Sequence, residues 1–333
     1  MKRWLAGSVV VAMVALIGWT LVWVPLPLLV ISPGSALQVS ERIEFSTRQE
    51  DELSGQLLLT TVQVSQPNTV EALGAWLDED KDVIRREQVI PEDVDPSAYF
   101  QAQRQIFEES GQLAAAAGLR AAGFAVTVTG NGAEVVAVSP NAPAQGVLRE
   151  GDLITAAGDQ PIQTASALVA AVAARRIGDE LALTVRRDAT NIQLRVTLGP
   201  SAQQPGPMLG VAIRTVGFDI DLPFPVQVDA GQIGGPSAGL LMALTVYDLA
   251  EDGDLTRSRI IAGTGTIDAQ GNVGPVGGVN QKIEAAVRAG AQIFLAPAGE
   301  VDQARAAAGD RLQVIGAATL DDALNALRAP SSG

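Results

Sequence analysis

Ile233-Gly234-Gly235-Pro236-Ser237-Ala238-Gly239-Leu240-Leu241 is the stretch whose reading decides the fold. Small residues lead into a serine, and an apolar run follows through Met242, Leu244, Val246 and Leu249. That order predicts a tight loop with a helix from Ser237 to about Leu249. Gly235 and Gly239 permit the turn and a close backbone approach, and Pro236 presets the backbone for a helix start. The unpaired N–H groups of the first turn then face whatever reacts with Ser237.

Residues 235–239 also fit G-x-S-x-G, the pattern of serine hydrolases. Taken alone, the five residues are equally a Gly-rich turn around a bystander serine. Composition sharpens the choice: the chain contains no His and no Cys. A Ser-His-Asp triad and a Cys-His pair are therefore excluded, and a nucleophilic Ser237 needs a lysine, a carboxylate or an amine as its base. Arginine cannot serve, because it does not lose its proton in a protein. Only Lys2, Lys81 and Lys282 are present, against twenty arginines. Lys282 follows the loop Gly277-Gly278 at the start of an amphipathic stretch, where it is either a surface cation or a buried base.

In combination these motifs resemble the proteolytic domain of Lon: Gly235-Pro236-Ser237-Ala238-Gly239, Thr264-Gly265, Pro275-Val276-Gly277-Gly278, Lys282 and Ala285-Ala286. The resemblance covers roughly residues 207–328. It implies a catalytic Ser237–Lys282 dyad, an orienting hydroxyl on Thr264, and an oxyanion hole from the backbone N–H groups of Ser237 and Ala238. Two positions depart from the family pattern: Gly234 and Thr266 stand where Lon usually carries acidic residues. The ATPase module of Lon has no counterpart, since no G-x-x-x-x-G-K-[ST] loop occurs in these residues.

The chain has 333 residues and a formal net charge of −14, enough length for two or three domains. The acidity argues against a nucleic-acid partner. With neither His nor Cys, neither a metal site nor a cofactor is expected. Residues 4–24 carry no charge, and at ~1.5 Å per residue they are long enough for one bilayer crossing. Trp4, Trp19 and Trp23 stand near the ends, behind Lys2 and Arg3. The reading is a single-pass membrane anchor with a cytoplasmic N-terminus and an extracytoplasmic protease. A cleaved signal peptide, cut near Ser35-Ala36, is the alternative.

Residues 25–122 read as a juxtamembrane region. Pro25, Pro27, Pro33 and Gly34 break a helix, Leu57 to Val64 form a strand, and residues 78–96 make a solvated, charge-rich surface. Tyr99 to Ala122 is an amphipathic helix. From 123 to 200 short alternating strands surround Ser139-Pro140-Asn141-Ala142-Pro143-Ala144, Gly151-Asp152-Leu153-Ile154 and a helix at 166–174. This order resembles a bacterial PDZ domain, which holds an extended chain end at a sheet edge. The alternative is a domain that only spaces or gates the protease. Beyond residue 207, alternating strands and helices imply an α/β or α+β sandwich.

The fold expected is thus multi-domain: a transmembrane helix at 4–24, a PDZ-like β-rich domain at 123–200 and a Lon-type α/β (α+β) domain at 207–328. The whole resembles the membrane-anchored, PDZ-containing Lon-like proteases of bacteria. The expected activity is ATP-independent endoproteolysis of unfolded or membrane-proximal proteins by a homo-oligomer, with a hexameric ring implied by the family. A catalytically dead PDZ scaffold and a small-molecule esterase are the competing readings.

Overall fold

The computed structural model describes residues 19, 24–45, 54–86, 89, 96–200, 206–251 and 254–329. A six-stranded sheet organises the catalytic half. Its order is Gln313–Ala317, Ile293–Pro297, Ile260–Gly263, Gln56–Ser65, Leu28–Gln38, Asp82–Arg85. The first four strands run parallel, and the last two join antiparallel. Strand alternation sends side chains to opposite faces. Leu57, Leu59, Ile261, Ile293 and Leu295 join one core, whereas Leu58, Ala262, Phe294 and Ala296 join the other. Helices Pro96–Ala121, Gly239–Ala250 and Leu320–Arg328 cover the first face, and Val279–Arg288 and Val301–Ala308 the second.

The described parts of residues 25–122 are therefore built into the half of the chain that holds Ser237 and Lys282. The charge-rich stretch supplies the edge strand Asp82–Arg85. Pro33 and Gly34 fall at a register shift inside the strand Leu28–Gln38, since a bulge tolerates what a regular ladder would not.

Helix Pro96–Ala121 packs along the helix that follows Ser237. Ala114, Ala115 and Ala117 are buried in the shared core, and small side chains let two helix backbones approach. At the closest point a Cβ on Gly118 would sit 2.5 Å from the Ala243 carbonyl oxygen.

The PDZ-like unit has its own core and sheet, ordered Thr190–Thr197, Glu180–Arg187, Leu153–Ala157, Gly132–Val138, Val211–Val216. Asp152 is 1% exposed and paired with Arg187 at 2.7 Å. The last strand, Val211–Val216, lies beyond the expected boundary at 200 and forms one edge of the sheet. This unit meets the proteolytic half through a small cluster that brings Val126, Val128, Phe218 and Ile220 against Leu113, Ala116 and Ala269.

One expectation is corrected. The fold class included a transmembrane helix at 4–24, yet among the described residues no helix is long and apolar enough to cross a membrane. Apart from Trp19 and Val24, that segment lies outside the described residues. The fold is assigned without it.

The tight crossing at Gly118 yields a stability prediction. Gly118→Ala drives a methyl group into the Ala243 carbonyl, and overpacking of this kind costs roughly 1–3 kcal/mol. Urea unfolding should show a lowered midpoint. A midpoint at or above wild type would mean that the two helices separate freely.

Candidate active site

Ser237 stands in the turn before helix Gly239–Ala250. The turn is built as the sequence predicts: Gly235 has a φ of +84°, and a Cβ on Gly239 would lie 2.9 Å from the Ile267 nitrogen. Two neighbours clamp it. From helix Pro96–Ala121, the Gln103 carbonyl accepts the Gly235 N–H at 2.9 Å, and Ser110 donates to the Pro236 carbonyl at 3.2 Å. From the loop after strand Ile260–Gly263, the Gly265 N–H donates to the Ser237 carbonyl at 2.8 Å, while the Gly265 carbonyl accepts from Leu240 at 3.0 Å.

Lys282 lies on helix Val279–Arg288, on the opposite face of the sheet. It is 3% exposed. Its Nζ donates to Thr264 Oγ1 at 3.0 Å, and Thr264 Oγ1 donates in turn to the Ser237 carbonyl at 3.0 Å. Thr264 is fully buried. Its single proton is committed to Ser237, so it faces the lysine as an acceptor. A neutral Lys282 held this way keeps its lone pair for another proton donor.

Burial pulls the Lys282 amine down to about 8, against a partial upward pull from Glu300. Glu300 is itself buried and accepts the Val276 N–H at 3.0 Å. Burial raises its carboxyl, while that N–H and the lysine oppose the rise. Among the described residues no carboxylate lies within ion-pair distance of Nζ. Desolvation without a paired charge is the condition that disfavours an ammonium.

Ser237 and Lys282 line the same cleft, of about 1290 Å³. The Ser237 hydroxyl makes no hydrogen bond to a described residue, and neither do the N–H groups of Ser237 and Ala238. The cleft wall also draws on Gly34, Thr60, Thr61, Asp82, Tyr99 and Gln103. These come from the segment that the sequence reading kept apart from the protease. Their signal was thin: only the strand Leu57–Val64 and a helical period were visible, and neither points to a cleft.

Residues 121–198 match the PDZ domain family, and residues 220–328 match the Lon protease (S16) C-terminal proteolytic domain. The chain therefore carries a PDZ domain followed by a Lon-type C-terminal proteolytic domain. It is 38% identical over 77 residues to the archaeal Lon protease of Halobacterium salinarum, covering 23% of this chain and 11% of that one. To Lon protease 2 of Bacillus subtilis it is 33% identical over 118 residues, covering 34% and 20%. The chain thus spans a fifth or less of the length of these curated relatives. Among solved structures, the PDZ domain of the SdrC-like protein from Listeria monocytogenes aligns at 24% identity, covering 26% of this chain and 92% of that one, with a TM-score of 0.25.

A buried amine that titrates near 8 is a cost to the fold. Each pKa unit corresponds to about 1.36 kcal/mol, so a fall from 10.5 to about 8 costs roughly 3 kcal/mol at neutral pH. The unfolded chain binds the extra proton between those values, so wild-type stability from this group rises as pH climbs from 8 to 10.5. Lys282→Met removes the penalty. Thermal unfolding at pH 7 should show a more stable variant, with the advantage shrinking toward pH 10.5; a variant less stable than wild type at pH 7 contradicts a strained amine.

Proposed function

We propose that this chain is a serine endopeptidase that cuts extended polypeptides by a Ser237–Lys282 dyad without ATP. The single observation that carries the reading is the Lys282–Thr264–Ser237 chain of hydrogen bonds at the wall of one cleft. Neutral Lys282 takes the proton of Ser237 as the hydroxyl attacks the scissile carbonyl. The free N–H groups of Ser237 and Ala238 receive the developing oxyanion. The ammonium then protonates the leaving amine, and the freed base activates the water that resolves the acyl-enzyme. Thr264 orients the amine throughout. In this reading the substrate arrives already extended.

The PDZ-like unit serves this reaction by binding chain ends. The edge of strand Val211–Val216 runs beside helix Ala165–Ala173, which is the arrangement that accepts an added peptide strand. Gly210, at a φ of +74°, turns the chain at the start of that strand. In this reading the carboxylate loop is Met208–Gly210, just before that strand.

Two experiments test the dyad. A fluorophosphonate probe should label wild type, and Ser237→Ala should lose the label; equal labelling of both would end the assignment of the nucleophile. In peptide hydrolysis, kcat/KM should rise with pH through about 8, since the reactive form is the neutral amine, and level off above it. Lys282→Arg should abolish turnover, because a guanidinium stays charged. Thr264→Val should lose about 10- to 100-fold in kcat, in the range expected when a positioned proton carrier is misaligned, and Thr264→Ser should recover most of it. A Thr264→Val enzyme with wild-type kcat and an unchanged pH profile would remove the threonine from the mechanism.

A further inference from the structure

The cleft carries a second cation that the proposed reaction does not use. Arg42 ends the short turn Ser40–Arg42, just after the strand Leu28–Gln38. Its carbonyl accepts the Asp229 N–H at 2.9 Å, which ties it to the loop leading to Ser237. Its guanidinium lies over Gly231, where a Cβ would come within 3.1 Å of Nη1. Arg42, Asp229, Gly231 and Ser237 all line the cleft.

Arg42 combines a place in the cleft with the lack of an acceptor. Among the described residues its guanidinium makes no hydrogen bond and no ion pair. The two cleft carboxylates are engaged elsewhere: Asp82 accepts from Gln281 at 2.8 Å, and Asp229 accepts the Gly231 N–H at 2.9 Å. Arg187 and Arg311, by contrast, are held by Asp152 and Glu284, and arginines without a partner among the described residues, such as Arg175 and Arg186, do not line the cleft. Lys282 is buried and tied to Thr264, so Arg42 is the cleft cation free to meet a ligand. A planar five-donor fork suits a planar oxyanion bound by two parallel hydrogen bonds, and on a polypeptide that group is a carboxylate.

We propose that Arg42 is the specificity anchor of the cleft, binding a carboxylate of the bound polypeptide. That carboxylate belongs either to an Asp or Glu side chain near the scissile bond or to a free chain terminus. The inference rests on the peptidase reading, and its test separates the two. Quenched fluorogenic decapeptides of apolar frame are prepared with one Asp walked along the sequence, each paired with its Asn twin, and each as free acid and amide. Wild type should prefer one Asp position, or the free acid, by about tenfold in kcat/KM, and 0.5 M salt should reduce that preference by screening. Arg42→Gln should bring the acidic-to-neutral ratio to about one, and Arg42→Glu should shift the preference to a Lys-containing twin. The Asp series against the free-acid series identifies the source of the carboxylate. An acidic-to-neutral ratio that Arg42→Gln leaves unchanged, or a wild type with no acidic preference, overturns the proposal. Should wild type cleave no peptide, the peptidase reading fails, and Arg42 is judged by fluorescence anisotropy of the same peptides on the full chain. Tighter binding of acidic peptides, lost in Arg42→Gln, then supports the subsite; equal binding refutes it.

Discussion

A buried primary amine with no carboxylate beside it is the constraint on which the site depends. Ordinarily a lysine at 3% exposure would be excluded from a core, since desolvating its charge is expensive. Here the surroundings accept that cost. Val276, Val279 and Ile283 make the apolar wall, Glu300 stays close enough to be felt but spends itself on the Val276 N–H, and the fully buried Thr264 gives the amine one acceptor. The result is an amine whose protonated form burial disfavours, with its pKa pulled down to about 8.

The sheet is what sets Ser237 and Lys282 on one cleft. Ser237 and its helix pack on one face, and the helix of Lys282 packs on the other. Neither could reach its partner through a complete layer of side chains. Contact is made at the end of strand Ile260–Gly263, where Thr264 and Gly265 leave the sheet and bond to both sides. Gly263 itself is close-packed, with a hypothetical Cβ 2.7 Å from Leu241, so the small residues there are a condition of the geometry. Thr60 adds a second fastening by donating to the Gly263 carbonyl at 2.9 Å.

The residues of the candidate site were more legible in the sequence than the architecture. Excluding His and Cys narrowed the base for Ser237 to a lysine, a carboxylate or an amine, the resemblance to Lon pointed to Lys282 and Thr264, and the structure sets all three residues around one strand end. Elements with clear periods were placed within a few residues, as with the strand Gln56–Ser65 and the helix Ala165–Ala173. What the sequence hid was long-range pairing. Strand Gln56–Ser65 lies beside Ile260–Gly263 in register, across about two hundred residues, and no local pattern encodes such a partner. Strand Leu28–Gln38 was masked by Pro33 and Gly34, which read as breakers until the bulge is seen. Helix Pro96–Ala121 read as a connector, yet its alanines and glycines are there to seat the helix of Ser237. For the same reason the cleft residues contributed by this first segment, Arg42 among them, carried no signal as part of a site.

The central claim is that one lysine gives up its proton well below the usual lysine range, and the chain's three lysines make it directly observable. With 13C-labelled lysine, the Cε resonances of Lys2, Lys81 and Lys282 can be followed through a pH titration by NMR and assigned by substitution. The account predicts that one resonance, absent in Lys282→Met, titrates near 8 while the others titrate at the usual value of about 10.4. A Lys282 resonance that titrates together with the other two would contradict it.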